Sequence, residues 1–188
     1  ALSILRLIPR PPGRIVEVLV TQNDRVSAGD VLMRIDDEDA RVRVAAADAE
    51  AAVRKRERDA ETGGSRVALD RRQAEDAVAT SERAVTSARA ELDRIKRARR
   101  TGTALTPEET IDAAQKALTA AIEKLEVDRG ALRRASSAAG VPLPTRTEAG
   151  LSQARADLSL AEAALERTRL RAPSDGTILQ LQAKLGET

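Results

Sequence analysis

The chain has 188 residues, and its 32 Lys and Arg nearly cancel its 30 Asp and Glu, leaving a net charge of +2. It contains no Cys, no His and no aromatic residue, which excludes thiolate chemistry, histidine general-base catalysis and the usual zinc sites. The absence of a strong basic field and of aromatic stacking platforms also argues against a nucleic-acid partner. The apolar residues are mostly Ala, Val and Leu in a chain that is one-third charged, a composition that fits long helices packed in pairs. No run approaches the roughly 20 apolar residues of a membrane span, and no signal peptide is visible.

Residues 1–36 read as small β-structure. Val16, Val18 and Val20 alternate along one face of a strand. Asn23-Asp24 and Ala28-Gly29-Asp30 are turn signals, and Val31-Leu32-Met33-Arg34-Ile35 is a second short strand.

From residue 37 the period changes. Asp36 can cap a helix, and Asp37, Glu38 and Asp39 suit the positive end of its dipole; that role accounts for this acidic run without a metal site. Heptad series follow: Ala46, Val53 and Ala60; Val78, Val85 and Leu92 with Ser81, Ala88 and Ile95; Ile111, Leu118, Leu125 and Leu132; Leu151, Leu158 and Leu165 with Ala154 and Ala161. Such seams need a partner helix, and the expected partner is the same chain folded back. Thr101-Gly102-Thr103 breaks the pattern, and Thr106-Pro107-Glu108-Glu109 restarts it, with Thr106 as cap and Glu109 closing a capping box. The zone 37–171 is therefore read as an antiparallel hairpin with its tip near 101–106. Gly63-Gly64 and the segment Gly140-Val141-Pro142-Leu143-Pro144 fall opposite each other in this arrangement. They predict a joint near 62–64 and 139–147, because glycine and proline both oppose a continuous helix; the alternative reading is that one arm runs straight through and the other loops out beside it.

Pro173 stops the last helix, and residues 172–188 return to β. The stretch from Gly176 repeats the stretch from Gly13: Ile178 answers Ile15, Leu179 answers Val16, and Leu181 answers Val18. An antiparallel hairpin brings its ends together, so the two copies should meet as halves of one β-domain. The expected shared core is Val16, Val18 and Val20 with Leu179 and Leu181. The fold class is thus mainly α with a small β part: a long antiparallel coiled-coil hairpin inserted in a split β-domain.

The basic run Arg94–Arg100 at the predicted tip has two readings. It is a solvated helix end, or it is a docking surface in which Arg97, Arg99 and Arg100, with Thr101, Leu105 and Thr106, meet a partner.

Three groups of residues together resemble a known family. They are Gly13-Arg14-Ile15-Val16, then Val26-Ser27-Ala28-Gly29-Asp30-Val31-Leu32 with Ile35-Asp36, and Arg171-Ala172-Pro173-Ser174-Asp175-Gly176. The layout resembles the periplasmic adaptor, or membrane fusion, proteins of the haemolysin-secretion (HlyD) type, in which a lipoyl-like (barrel-sandwich hybrid) domain is split by an α-helical hairpin. The resemblance implies an export or efflux adaptor in the periplasm, anchored to the inner membrane. It also implies an inner-membrane transporter and a TolC-like outer-membrane channel as partners, self-association into a ring, no cofactor and no enzymatic activity. Many multidrug-efflux members carry Arg, Leu and Ser at spaced tip positions. Here Thr106 stands in the place of that Ser and Leu105 is displaced beside it, and the longer, jointed hairpin points to the protein-secretion branch. Two other readings are a generic coiled-coil tether and an acyl-carrier lipoyl domain. The join after Ile35 offers Asp36-Asp37-Glu38-Asp39 and no Lys for covalent attachment, which opposes the carrier.

Overall fold

In the computed structural model the described residues are 4, 6, 7, 12–103 and 105–187. Within the predicted first β-half, residues 1–3, 5 and 8–11 lie outside them, as does Ala104 near the predicted tip. The elements run β1 (Ile15–Val18), β2 (Arg25–Val26), β3 (Val31–Ile35), α1 (Glu38–Asp59), α2 (Arg66–Arg100), α3 (Glu108–Ser136), α4 (Arg146–Glu166), β4 (Arg169–Arg171) and β5 (Gly176–Thr177). The fold is mainly helical with a small β part. The chain divides into two units, one of residues 1–61 with 145–188 and one of residues 62–144.

In the first unit the β-halves pair directly. β3 lies between β1 and β4 in a three-stranded antiparallel sheet, and β2 pairs with β5. Further backbone bonds stitch the halves: Ala172 N–H donates to the Asp30 carbonyl at 2.9 Å, Gly29 N–H to Ala172 at 2.8 Å, and Asn23 N–H to Ile178 at 2.7 Å. Two short strands cannot bury an apolar face alone, so each half completes the other. The buried cluster is Val20, Val26, Leu32 and Ala172, with Ile178 packed against it.

That cluster corrects the expected core. Val20 is buried, but Val16 and Val18 are only half-buried, because the ladder shifts register between Ile15 and Glu17 and the regular alternation is lost. Leu179 is 58% exposed and Leu181 half-buried. Strand β5 ends at Thr177, and the side chain turned inward beyond it is Ile178, so Leu179 faces out. The repeated sequence does not place its copies alike: β1 joins the three-stranded sheet and β5 the two-stranded one.

Helices α1 and α4 pack together in the same unit, with Leu151 (2% exposed) and Ala154 buried on α4. On α1 the expected seam is wrong. Ala46, Val53 and Ala60 all face solvent, while Ala51 and Arg58 are buried and Val44 and Ala47 half-buried. Alanine-rich α1 carries apolar stripes on two faces. Periodicity cannot choose between them; the bulky α4 residues do. Arg58 is 2% exposed, and its guanidinium donates to Asp59 at 2.7 and 3.0 Å. The base of α1 is held by a chain of charges: Glu17 on β1 meets Arg34 on β3 at 3.3 Å, and Asp37 meets Arg41 at 3.0 Å and Arg34 at 3.7 Å. At the other helix, Arg171 of β4 pairs with Glu166 and donates to the Gly29 carbonyl at 2.9 Å.

In the second unit α2 packs on α3. Their facing positions recur every three and four residues. On α2 they are Ala74, Val78, Ser81, Val85, Ala88, Leu92 and Ile95; on α3 they are Ile111, Ala114, Leu118, Ala121, Leu125, Asp128, Leu132 and Ala135. All of these are buried or half-buried. The helices run antiparallel, since Ser81 bonds Asp128 and Glu82 meets Arg129, while Arg71, earlier on α2, bonds the carbonyl of Pro142, beyond the end of α3.

The helix starts differ in detail from expectation. Asp36 does accept the Glu38 N–H, at 3.2 Å, but the residue flanking α1 is Asp37. α3 starts after Pro107 with no side-chain cap, so the Thr106–Glu109 capping box does not form. The side-chain caps that do form are Ser65 to the Ala68 N–H (3.2 Å) and Thr145 to the Glu148 N–H (3.3 Å). Both follow non-helical stretches, residues 61–65 and 137–145, which contain Gly63 and Gly64 at positive φ and both prolines of the return arm.

Candidate docking surface at the α2–α3 turn

Of the six residues proposed from sequence as a contact surface, Arg97, Arg99 and Arg100 lie in the last turn of α2, and Thr101, Leu105 and Thr106 follow in the connection to α3. Helix α2 ends in Arg97, Arg99 and Arg100. Cationic side chains suit the negative end of a helix dipole, so helix electrostatics alone explains part of this run. Thr101 closes the helix, with its N–H bonded to the Arg97 carbonyl at 3.0 Å and its hydroxyl donating to the same oxygen at 3.0 Å.

Gly102 then takes φ +68°. Its N–H reaches Arg99 at 3.3 Å, and the Thr103 N–H reaches Ala98 at 3.1 Å. These two bonds are the Schellman closure, which requires a left-handed residue at that position and satisfies carbonyls that the helix leaves over. The hydroxyls of Thr101 and Thr103 bond each other. The turn is therefore built from backbone bonds rather than from buried apolar side chains.

The side chains on it are presented outward. Arg97, Arg99 and Thr101 are exposed, Arg100 and Thr106 are half-buried, and Leu105 is fully exposed at 104% of its reference area. Further down α2, Arg94 is held by Glu91 at 2.6 and 2.8 Å, which lowers the Glu91 carboxyl below its usual range. The surface thus combines cations and threonine hydroxyls with one apolar side chain. It contains no nucleophile–base pair, and among the described residues no group of acidic side chains is placed to hold a metal.

The proposed pairing residues of the β-halves fall elsewhere, in the first unit. Only Val20 of that set enters the buried cluster; its partners from the second half are Ala172 and Ile178. Ile178 was legible as the answer to Ile15 in the repeat. Ala172 was not, because an alanine between Arg171 and Pro173 carries no periodic signal. A groove of about 400 Å³ between α1 and α4 is lined largely by charged side chains, among them Glu50, Arg54, Glu57, Arg146 and Asp157, over Gly150 and Ala154. Arg54 is held there by Glu50 at 2.8 Å and Glu57 at 3.0 Å.

Among the described residues no helix is long and apolar enough to cross a membrane. The sequence is similar to the multidrug resistance protein MdtN of Shigella flexneri, at 30% identity over 186 residues, covering 96% of this chain and 52% of that protein. MdtN of Escherichia coli K12 is 29% identical over the same length and coverage. The chain spans about half the length of these curated relatives. Among solved structures, MacA from Actinobacillus actinomycetemcomitans aligns over 93% of this chain and 41% of its own, with 18% identity and a TM-score of 0.40. Residues 4–188 match the family described as "RND MFP, barrel-sandwich hybrid domain", and the chain, with its β-domain split around two helical pairs, belongs to that family of membrane fusion proteins.

Proposed function

We propose that this chain is the split β-domain and α-helical hairpin of a periplasmic adaptor. In the assembled pump it joins an inner-membrane transporter to an outer-membrane channel for efflux or export. The observation that carries the reading is the topology. Strands more than 130 residues apart in sequence are hydrogen-bonded into one small β-unit, as β3 with β4 and β2 with β5, and the described residues between them form helices and the breaks that join them. The insertion consists of helical pairs closed along their seams, an arrangement suited to a helical hairpin. The relatives named as multidrug resistance proteins support small-molecule efflux as the class of transport. The adaptor works as a ring of copies anchored to the inner membrane, and the α2–α3 turn is the surface offered to the channel.

On this turn Leu105 supplies the apolar anchor, and Arg97, Arg99 and Arg100 steer and orient an acidic partner surface. Rim charges act mainly on encounter rate and specificity, and their effect fades with salt. The test is capture of the cognate outer-membrane channel by the full-length adaptor carrying Arg97→Glu, Arg99→Glu and Arg100→Glu, and separately Leu105→Asp. The triple reversal is expected to weaken capture at low salt and to remove most of its salt dependence; Leu105→Asp is expected to weaken it at all salt concentrations. Unchanged capture and unchanged export in both variants would overturn the docking role of the turn.

A further inference from the structure

The seam between α2 and α3 contains one polar layer. Asp128 sits in line with Leu118, Ala121, Leu125 and Leu132 on α3, and Ser81 sits in line with Val78, Val85, Ala88 and Leu92 on α2. Both are buried, Ser81 at 4% and Asp128 at 9% exposure. The Ser81 hydroxyl donates across the seam to Asp128 Oδ2. Lys124, one turn back on α3, reaches both carboxylate oxygens at 2.9 and 3.0 Å while remaining mostly exposed itself. The carboxylate is thus bonded from the facing helix and neutralised from its own.

The apolar layers around it discriminate poorly between registers. Each helix alternates Ala with Leu or Val along its seam, so sliding one helix by seven residues sets small residues against small ones and large against large ones again. Both seam positions of α2 seven residues from Ser81, Ala74 and Ala88, offer no hydroxyl or other side-chain donor. In either slipped register the carboxylate would keep Lys124 but lose its cross-seam donor, which is unfavourable. A polar residue at a single seam position is a known means of fixing coiled-coil register, at some expense in stability.

We propose that the Ser81–Asp128 hydrogen bond sets the register of the α2·α3 pair, and thereby fixes which residues form the turn between them. A slip of one heptad shifts the helices by about 10 Å and would draw α2 residues into the turn or turn residues into the helices. Ser81 and Asp128 are positioning residues in this sense; neither is on the exposed turn. The inference does not depend on the turn being a docking surface, since register is read by crosslinks and docking by capture, and either can fail alone.

The test uses engineered cysteine pairs, which are unambiguous in a chain with no native cysteine. Glu82→Cys with Arg129→Cys, joined by a short bifunctional thiol reagent that spans the reach of the two long side chains meeting there at 3.5 Å, reports the native register. Glu82→Cys with Ile122→Cys or with Ser136→Cys reports slips of one heptad in either direction. Each pair is bridged in the native background, in Asp128→Asn, and in Ser81→Ala with Asp128→Ala, which makes the layer resemble the Ala layers one heptad away on either side. The expected result is a link through 82–129 alone in the native and Asp128→Asn proteins, since Asn retains an acceptor for Ser81. In the apolar double variant a slipped link should appear as a comparable product, at an equal or higher thermal midpoint. If the double variant still gives only the 82–129 link, apolar packing and the turn set the register and the proposal falls. If it fails to fold, the polar layer acts through stability, and the proposal falls equally. Slippage in Asp128→Asn would overturn the role assigned to Ser81.

Discussion

Gly13 shows how one residue can be fixed by its surroundings while its sequence twin is not. A Cβ on Gly13 would lie 2.6 Å from Cγ2 of Ile35, a stiff β-branched side chain that is 3% exposed. Nothing lies within 4 Å of the same position on Gly176. Gly13→Ala is expected to destabilise the β-unit by about 1–3 kcal/mol through overpacking, and Gly176→Ala to change stability by no more than about 0.5 kcal/mol; urea titration of the two variants checks the contrast. Asp128 makes a second prediction. Its carboxyl is held below its ordinary value first by the Ser81 hydrogen bond and then by Lys124. A lowered folded value means that the unfolded chain binds the proton more readily, so the contribution is fully present above about pH 4 and is lost as pH falls through the lowered value. The gap in thermal midpoint between the native protein and Asp128→Asn should therefore be constant above about pH 4 and change only below it. A gap that changes between about pH 5 and 8, where this carboxyl stays ionised, would contradict the assignment.

Among the elements, the two helical pairs are held in different ways. The α2·α3 pair has a regular heptad seam interrupted once by a polar layer, whereas α1 and α4 combine Leu151, Ala154 and Ala51 with buried Arg58 and Glu148. Both arms are broken where the chain divides into its two units: Ser65 caps α2 and Thr145 caps α4, and the Thr145 hydroxyl also bonds Glu61 at 3.0 Å. Proline in the return stretch removes backbone donors, and the positive φ of Gly63 and Gly64 excludes a helix through them. Amides at 62–66 and 139–147 are expected to exchange hydrogen faster than those of the flanking helices, which mass spectrometry of exchanged peptides reads directly. Protection through Gly63-Gly64 equal to that of α1 would show that the outgoing arm does not open there. A joint that flexes in both arms at once is the working role we propose for this region.

At the level of the whole molecule, the β-unit depends on residues from both ends of the chain. Ala172 and Ile178 complete the cluster of Val20, Val26 and Leu32, and the Ile15 N–H donates to the Glu187 carbonyl at 2.9 Å. Truncation after Arg171 is expected to remove protection from the amides of β1 and β2 although their own sequence is intact, because such short strands do not stand alone. The α2·α3 unit has its own seam and should keep its exchange protection in the same variant. Loss of protection throughout would mean that the two units fold as one.

The sequence by itself determined the fold class, the switch from alternation to heptads and back, and the meeting of the β-halves, because each follows from periodicity and from chain closure. Leu118, Leu125, Leu151, Leu92 and Ile95 were legible as seam residues for the same reason. The capping box at Thr106 and the outward face of α1 were misread: a local signal states what a segment can do, and Ala46, Val53 and Ala60 satisfy a heptad as well as the face that α4 covers. Only the tertiary structure decided that Ile178 and not Leu179 enters the core, that Ala172 joins it, that Gly13 is sterically required and that Arg58 is buried. It also paired Ser81, which the sequence placed within the α2 series, with Asp128, which no sequence reading singled out. These facts depend on which atoms from distant parts of the chain arrive at the same point, and no spacing along one segment encodes that.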